Sequence, residues 1–201
     1  MGRVSRAQAE LNRQHIVETA SRLFRQHGVE NVSIADIMGA AGLTAGGFYR
    51  HFASKEALID EAFALAFQQA LGAWEQVARR GRPDDESALA SLVRFYFRRR
   101  APEWTCPVLA FASRGDAIAP QEPATATYRQ GVEALLARFR QLAQQASAQA
   151  GTPAPATGEL DLLFAAMVGT GLLSRAVGDV PWIRDLQAAV LAALPATAPK
   201  A

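Results

Sequence analysis

Apolar residues recur every three or four positions along almost the whole chain, whereas the alternation of apolar and polar residues that marks a strand is nearly absent. In residues 8–27, for example, Ile16, Ala20 and Phe24 fall on one face of a helix. Half of the 201 residues are hydrophobic, which is enough to bury the core of a helical protein of this length. The pattern therefore predicts an all-α fold.

Residues that cap or break helices set the expected boundaries. Ser33, with Asp36 three residues later, forms a capping box at the start of the second helix, and Gly28 ends the first. Composition predicts loops at residues 81–87, 117–123 and 151–158. About nine helices result, at residues 8–27, 34–41, 45–51, 55–80, from 88 to Pro102, a short one after Cys106, 124–149, 159–178, and from Pro181 onward.

The net charge of +2 is unevenly distributed along the chain. Residues 1–55 hold seven Lys or Arg against four Asp or Glu, while residues 56–201 hold fourteen against fifteen. We interpret this as a basic N-terminal domain (1–55) followed by a near-neutral helical bundle (56–201). A basic domain is expected to bind an anionic partner; the alternative is a chance imbalance among few charges.

The single cysteine, Cys106, excludes a disulfide within the chain, and we expect a cytoplasmic protein. No signal peptide is indicated, because the basic residues of MGRVSRAQAELNRQ are not followed by an apolar stretch. No uninterrupted run of about 18 apolar residues occurs, so no membrane span is predicted.

Residues 33–52, SIADIMGAAGLTAGGFYRHF, predict two short helices joined by a tight turn at Gly42. With the long first helix packed behind them, they form a helix-turn-helix within a three-helix unit. Ile34, Ile37, Leu43 and Phe48 would supply the small core of this unit. This motif is the part of the sequence that most directly indicates a function.

The segment GLTAGGFYRHFASKEAL, residues 42–58, resembles the signature of the TetR family of bacterial transcriptional regulators. The resemblance covers about residues 8–58 well, and the later helices are similar to the family's ligand-binding and dimerisation domain with much less specificity. It implies a homodimeric repressor whose third helix enters the major groove of duplex DNA at an inverted-repeat operator. The predicted DNA-contacting residues are Ser33, Thr44, Ala45, Gly46, Gly47, Tyr49, Arg50, His51 and Lys55.

Side-chain chemistry suggests different roles within this set. Thr44, Tyr49 and His51 have donors for phosphate oxygens, and Lys55 would add its charge to the free amides at the start of the fourth helix. Arg50 is the one side chain on the third helix able to make a bidentate contact with guanine. For Tyr49, Arg50 and His51, the alternative is packing, capping or solvent exposure without contact to DNA.

Two positions depart from the family pattern. Met38 stands where a small residue is usual, so the crossing of the second and third helices is expected to differ. Ala45 stands where a long polar side chain is common, and Gly46 and Gly47 follow it. Direct base contacts are therefore expected to be few, and DNA shape is expected to contribute more to recognition.

Aromatic and apolar residues of the C-terminal region are candidates for a ligand pocket. Residues of this kind usually form core instead, and that alternative stays open for each of them. Such a lining suits a small hydrophobic effector that would move the dimer away from the spacing of two major grooves. The candidate lining residues are Trp74, Phe95, Trp104, Cys106, Phe111, Phe164 and Met167.

Cys106 is in addition a candidate sensor of electrophiles or oxidants. It precedes Pro107 at the expected start of a helix, and the arginines at 98–100 are close in sequence, so we expect a lowered thiol pKa. The alternative is that Cys106 is a small buried apolar residue.

Residues 159–178 are apolar on almost every side, which favours contact with a second copy of the chain. Gly169 and Gly171 would let another backbone approach closely. We expect a homodimer formed by the helices near 124–149 and 159–178, with complete internal burial of the second of these helices as the alternative.

Two other function classes are less favoured. For an enzyme, the sequence offers no HExxH, CxxC, phosphate-binding loop or dinucleotide motif, so no metal or cofactor is expected. A Cys-dependent enzyme would need the fold to bring Cys106 to His15, His27 or His51. The other class is an all-helical adaptor that binds protein through its apolar C-terminal helices. Salt-sensitive binding to duplex DNA distinguishes a repressor from both.

Overall fold

The computed structural model describes residues 6–80, 87–98, 101–112 and 123–195. These residues form eight α-helices and two 3-10 helices and contain no strand, which confirms the all-α prediction. The α-helices are α1 (Arg6–His27), α2 (Ile34–Ala40), α3 (Lys55–Arg79), α4 (Ala88–Phe97), α5 (Pro107–Ala110), α6 (Pro123–Ala150), α7 (Thr157–Val177) and α8 (Pro181–Ala192). The 3-10 helices are Ala45–Arg50 and Pro102–Trp104.

Each expected helix has a counterpart in the described residues, with three differences. The third one, Ala45–Arg50, has 3-10 rather than α geometry. The fifth, α4, ends at Phe97 rather than near Pro102, because Arg98 leaves helical geometry for an extended conformation (φ −62°, ψ 134°). The second 3-10 helix, which begins at Pro102, was not predicted.

The described residues form two compact units. The first unit contains residues 6–70, 101–112 and 123–132, and the second contains residues 71–80, 87–98 and 133–195. Both α3 and α6 contribute residues to both units. The domain boundary expected after residue 55 is a functional one, between a DNA-binding domain and the remainder of the chain. It stays a prediction.

The first unit has a core of aromatic and aliphatic side chains from α1, α2, the first 3-10 helix and the first half of α3. Ile37 and Phe48, two of the predicted core residues, are fully buried, and Ile34 packs against them at the edge. Phe48 also stacks on Phe52, with ring centroids 5.5 Å apart. The predicted small core of the three-helix unit is therefore confirmed.

Segments distant in sequence extend this core. Phe111, just after α5, stacks on Phe63 of α3 with ring centroids 4.1 Å apart. The Tyr128 hydroxyl of α6 donates a hydrogen bond to the carbonyl of Val108 (2.9 Å). Gly131 of α6 faces Phe67 so closely that a Cβ there would lie 2.2 Å from the ring. Helix α6 thus needs a glycine at this position.

The second unit is held by apolar packing and by ion pairs between its helices. Arg140 of α6 donates two hydrogen bonds to Asp161 of α7 (2.7 and 2.6 Å). Gly171 of α7 packs against Tyr96 of α4, and a Cβ there would lie 2.7 Å from the tyrosine ring. Gly171 therefore serves a contact within the chain, contrary to the expectation that it faces another copy.

Helix α7 buries one side and exposes an apolar stripe on the other. Leu162 is 70% exposed and Leu172 is 53% exposed, and Val177 is also exposed. A Cβ built on Gly169 would meet no atom within 4 Å. The expected alternative of complete internal burial is therefore wrong for α7 in this chain.

By length and composition alone, α7 is apolar enough to cross a membrane, with a mean hydropathy of 1.5 in its most apolar window. The sequence predicted no membrane span, because no uninterrupted run of about 18 apolar residues occurs. Helix α7 contains polar residues, but they are too few to lower its mean hydropathy. Core helices of soluble proteins meet the same criterion, so one such helix is weak evidence for a span.

Candidate nucleic-acid interface

Helix α2 begins with the capping box that the sequence predicts. The Ser33 hydroxyl accepts a hydrogen bond from the Asp36 amide (3.1 Å), and the Asp36 carboxylate accepts one from the Ser33 amide (2.8 Å) and one from the Ser33 hydroxyl (2.6 Å). These bonds from the Ser33 side chain and backbone lower the pKa of Asp36, and the positive charge of Lys55 lowers it further. Ser33 is exposed, but its hydroxyl is engaged in the cap.

The turn after α2 depends on Gly42, which has a φ of +69° that only glycine adopts readily. The Leu43 amide donates a hydrogen bond to the carbonyl of Met38 (2.8 Å), which closes this turn. The Met38 side chain is buried and extends toward Gly47, where a Cβ would lie 3.7 Å from its terminal methyl group. The long Met38 is thus accommodated next to a residue without a side chain.

The first 3-10 helix exposes four of the predicted contact residues, which are Ala45, Gly46, Tyr49 and Arg50. Tyr49 is 71% exposed, and its ring makes an edge-to-face contact with the buried Phe48 (centroids 5.2 Å apart). Arg50 is exposed, and His51 is half-buried at the end of the helix. The hydroxyl of Thr44, at the N-cap position, makes no capping hydrogen bond. The alternative that Tyr49 closes the small core is wrong.

The small residues of this helix leave its backbone open. Ala45 and Gly46 are exposed, and a Cβ on Gly46 would meet no atom within 4 Å. The absence of a side chain at Gly46 is therefore not required by packing within the chain.

Lys55 lies in the first turn of the fourth predicted helix, as expected, and makes a contact that was not expected. It is the first residue of α3, and its ammonium donates a hydrogen bond to the carbonyl of Val29 (3.1 Å). Ser54 caps α3, as predicted, and accepts a hydrogen bond from the Ala57 amide (3.1 Å). Lys55 thus ties the α1–α2 connection to α3.

Sequence reasoning missed Arg13, which braces the same region from α1. Its guanidinium lies over the Phe52 ring, 4.8 Å from the centroid, and forms an ion pair with Glu61 of α3. Arg13 stands one helical turn before the buried Ile16, which is the feature that could have indicated a residue at the edge of the core.

The predicted ligand-pocket residues are divided between the two units. In the first unit, Phe111 is fully buried and Cys106 half-buried, whereas Trp104 is 55% exposed and lies outside the core. In the second unit, Trp74, Phe164 and Met167 are buried and Phe95 is half-buried. A single shared lining stays a prediction.

A cleft of about 270 Å³ in the second unit contains none of the predicted lining residues. Its walls are mixed. Polar and charged residues, among them Glu75, Arg79 and Arg138, alternate with alanines and Leu142. Among the described residues, no group of three or more His, Cys, Asp or Glu is placed to hold a metal ion.

The sensor role expected for Cys106 stays a prediction. Of the arginines at 98–100, only Arg98 lies within the described residues. Burial lowers the pKa of Arg25 of α1, and the charge of Cys106 raises it. Tyr128 of α6 also interacts with Cys106.

Comparison with known proteins places the N-terminal unit in a family. Residues 16–62 match the family model described as "Bacterial regulatory proteins, tetR family". The chain is 42% identical over 66 residues to the HTH-type transcriptional regulator AcrR of Shigella flexneri, covering 33% of this chain and 31% of the relative. It is 31% identical over 81 residues to the HTH-type transcriptional repressor KstR2 of Rhodococcus jostii, covering 40% and 39%. These matches thus span about a third of the relatives' length.

Solved structures match over nearly the whole chain at low identity, which shows the fold. A TetR transcriptional regulator from Chloroflexus aurantiacus has a TM-score of 0.76 and 24% identity, covering 92% of this chain and 95% of its own. The reduced form of NemR from Escherichia coli has a TM-score of 0.78 and 15% identity, covering 94% and 100%. The N-terminal segment of the chain thus matches the tetR family of bacterial regulatory proteins, and the chain has the fold of solved TetR regulators.

Proposed function

We propose that this protein is a homodimeric transcriptional repressor that binds an inverted-repeat operator and is released from it by a small molecule. The observation that carries the proposal is the surface formed by Tyr49, Arg50 and the open Gly46 on a short helix anchored by the buried Phe48. The similarity of the N-terminal segment to the tetR family supports it, because the relatives that match this segment are named as transcriptional regulators and repressors.

Each residue of this surface has a role that fits duplex DNA. The Thr44 hydroxyl, the Tyr49 hydroxyl and the His51 imidazole would donate to phosphate oxygens on either side of the major groove. Arg50 would contact a guanine edge through its two-pronged guanidinium. The uncovered backbone at Gly46 would approach base edges or a thymine methyl closely.

Helix α7 supports dimerisation. On α7, Leu162 precedes Gly169 by seven residues, and Gly169 precedes Leu172 by three. Residues at these spacings share one face of a helix, so all three lie on the same side. Burial of this apolar stripe against the same stripe of a second copy would form an isologous interface, with Gly169 allowing close approach. Most exposed residues of α6 in the second unit, such as Gln141 and Gln144, are polar and would contribute to the rim of the interface.

Release would follow from dimer geometry. Two recognition helices must reach successive major grooves roughly 34–36 Å apart. An effector with a higher affinity for another arrangement of the dimer would lower the population of dimers that have the DNA-binding spacing. The candidate effectors are a small hydrophobic molecule, or an electrophile or oxidant that reacts with Cys106.

The experiment is selection of bound duplexes from a random pool, followed by fluorescence anisotropy with the winning sequence at several salt concentrations. We expect an inverted repeat, bound by two chains, with an affinity that falls steeply as salt rises. Recovery of no preferred sequence, together with salt-independent binding, would contradict the proposal.

The exposed stripe of α7 also favours one alternative, a helical adaptor that binds another protein. In that case the full-length chain would bind no duplex tightly at low salt, and Tyr49 and Arg50 would be replaceable without effect. Comparison of the wild-type chain with the double variant Tyr49→Ala, Arg50→Ala in the same anisotropy assay separates the two functions.

A further inference from the structure

Arg13 of α1 contacts two other parts of the first unit at once. Its guanidinium lies over the ring of Phe52, 4.8 Å from the ring centroid, and the same group donates a hydrogen bond to the Glu61 carboxylate of α3. The side chains of Arg13 and Glu61 are 34% and 35% exposed, whereas Phe52 is buried. Arg13 therefore covers the edge of the core where the chain passes from the first 3-10 helix to α3.

Phe52 is linked in turn to the exposed surface of the first 3-10 helix. Its ring stacks on that of Phe48, with centroids 5.5 Å apart, and its amide donates a hydrogen bond to the Phe48 carbonyl (3.1 Å). The Phe48 ring contacts the Tyr49 ring edge-to-face, with centroids 5.2 Å apart. A continuous series of contacts thus runs from Arg13 to Tyr49, the neighbour of Arg50 in sequence.

We propose that Arg13 is a positioning residue for sequence recognition. By fixing the Phe52 ring, and through it Phe48, it sets the orientation in which the first 3-10 helix presents Arg50 to a base edge. This role rests on the proposed function and deepens it, because Arg13 acts on the choice of base pair through Arg50 rather than through a contact of its own.

The first 3-10 helix depends on such support. It is only six residues long, and Phe48 is its one buried residue. Whatever fixes the Phe48 ring therefore fixes the helix. A bidentate contact of Arg50 with guanine needs a defined orientation, since both of its donors must meet acceptors on one base. Phosphate contacts carry no sequence information, so loss of Arg13 should reduce base preference more than general affinity.

Arginine suits this position because its guanidinium is planar. One face can pack on an aromatic ring while N–H groups in its plane bind a carboxylate, so Glu61 holds the group over Phe52. Lysine would keep the charge but lose the flat face. Methionine would cover the ring but could not bind Glu61. These two replacements therefore remove different parts of the contact.

The first test measures affinities for the operator and for its single-base variants by fluorescence anisotropy, with the full-length chain. The readout is the ratio of the two affinities at the base pair whose preference Arg50→Ala relaxes. Arg13→Met should lower this ratio by about fivefold or more, and Arg13→Lys should give a value between those of Arg13→Met and the wild type. In the Arg50→Ala background, Arg13→Met should leave the ratio unchanged, because no base contact remains to be positioned.

A purely structural role would give a different result. It would lower the urea midpoint and the affinities for all duplexes together, with the ratio unchanged, and that outcome for Arg13→Met would overturn the proposal. Arg22→Met removes a positive charge from the same helix and should keep the wild-type ratio. If Arg50→Ala relaxes no preference, Arg13 has nothing to position and the proposal fails.

Glu61→Gln keeps the proposal falsifiable if Arg13→Met does not fold. It removes the ion pair but leaves the guanidinium in the chain, so it should also lower the ratio. A wild-type ratio in Glu61→Gln would overturn the role of the ion pair in positioning.

The second test needs no DNA. Carbon-13 labelling of tyrosine gives a ring signal for Tyr49, assigned with Tyr49→Phe, whose chemical shift depends on the adjacent Phe48 ring. We expect Arg13→Met and Glu61→Gln to move this signal and Arg22→Met to leave it in place. A signal that moves in neither of the first two variants would overturn the proposal. A wild-type chain that selects no duplex would defeat the proposed function alone, since the Tyr49 signal still reports whether Arg13 positions the helix.

Discussion

At the residue scale, the first 3-10 helix separates side chains that hold the fold from side chains that face outward. Phe48 is fully buried, while Tyr49 and Arg50, its neighbours in sequence, are exposed. Substitutions at the exposed positions should therefore change DNA binding without changing the stability of the fold.

Arg50→Ala should weaken binding to the selected operator by about 1–3 kcal/mol and relax the preference at one base pair, because it removes a bidentate base contact. Tyr49→Phe removes only a phosphate donor and should weaken binding to all sequences alike. Anisotropy titrations against the operator and its single-base variants measure both effects. Equal losses on every duplex for Arg50→Ala would show that Arg50 contacts only the backbone.

Gly46→Ala tests whether the open backbone meets DNA. The added methyl group would touch nothing in the chain, so urea unfolding should show stability unchanged or slightly raised. Operator affinity should nevertheless fall, because the methyl group would occupy the space between backbone and base edge. Gly72→Ala, at another open helical glycine, is the matched control and should leave the affinity unchanged. If both variants bind like the wild type, Gly46 does not lie against DNA.

Residues near one another in sequence could be predicted, and residues brought together by folding could not. The Ser33–Asp36 box and the Gly42 turn follow from spacing and backbone preference within a few residues. The hydrogen bond from Lys55 to Val29 joins residues 26 positions apart, and the bond from Arg13 to Glu61 joins residues 48 positions apart. Helical periodicity says nothing about such pairs.

At the scale of elements, periodicity predicted the helices well but not their geometry. Ala45–Arg50 is only six residues long and contains two glycines, so it has too few hydrogen bonds to favour α over 3-10 geometry. The composition of helix α7 is that of a buried helix. Its exposed apolar stripe follows from the structure, in which α4, α6 and α8 cover the other side of the helix.

Helix α2 should become less stable in acid because of its capping box. The folded pKa of Asp36 is lowered by hydrogen bonds from Ser33, so the box stabilises the folded state above the unfolded pKa of about 3.9. That contribution should disappear as the pH falls through the lowered folded value. Urea unfolding between pH 2 and about 6 should show this component in the wild type and lack it in Asp36→Asn. Asp185→Asn, an exposed carboxylate of α8, should keep the wild-type profile.

At the scale of the whole molecule, DNA binding by one recognition helix is not sufficient, because an inverted repeat is bound tightly only when two are linked. The link proposed here is the exposed stripe of α7. The sequence indicated that α7 meets a partner, but it assigned both Gly169 and Gly171 to that contact. In the structure, Gly171 packs against Tyr96, whereas a Cβ at Gly169 would meet no atom within 4 Å.

Gly169→Arg should therefore separate dimerisation from folding. Its Cβ meets no atom within the chain, so the helix content and urea midpoint should remain close to those of the wild type. In a dimer packed through α7, a long charged side chain at this point would be buried against its own symmetry mate, and the two like charges would repel. Sedimentation velocity should show a monomer, and affinity for the inverted repeat should fall by about 100-fold or more as the second half-site is lost.

Gly72→Arg makes the same change at an open glycine of α3 and should remain dimeric. A dimeric Gly169→Arg that still binds the operator would place the two-fold interface elsewhere in the chain.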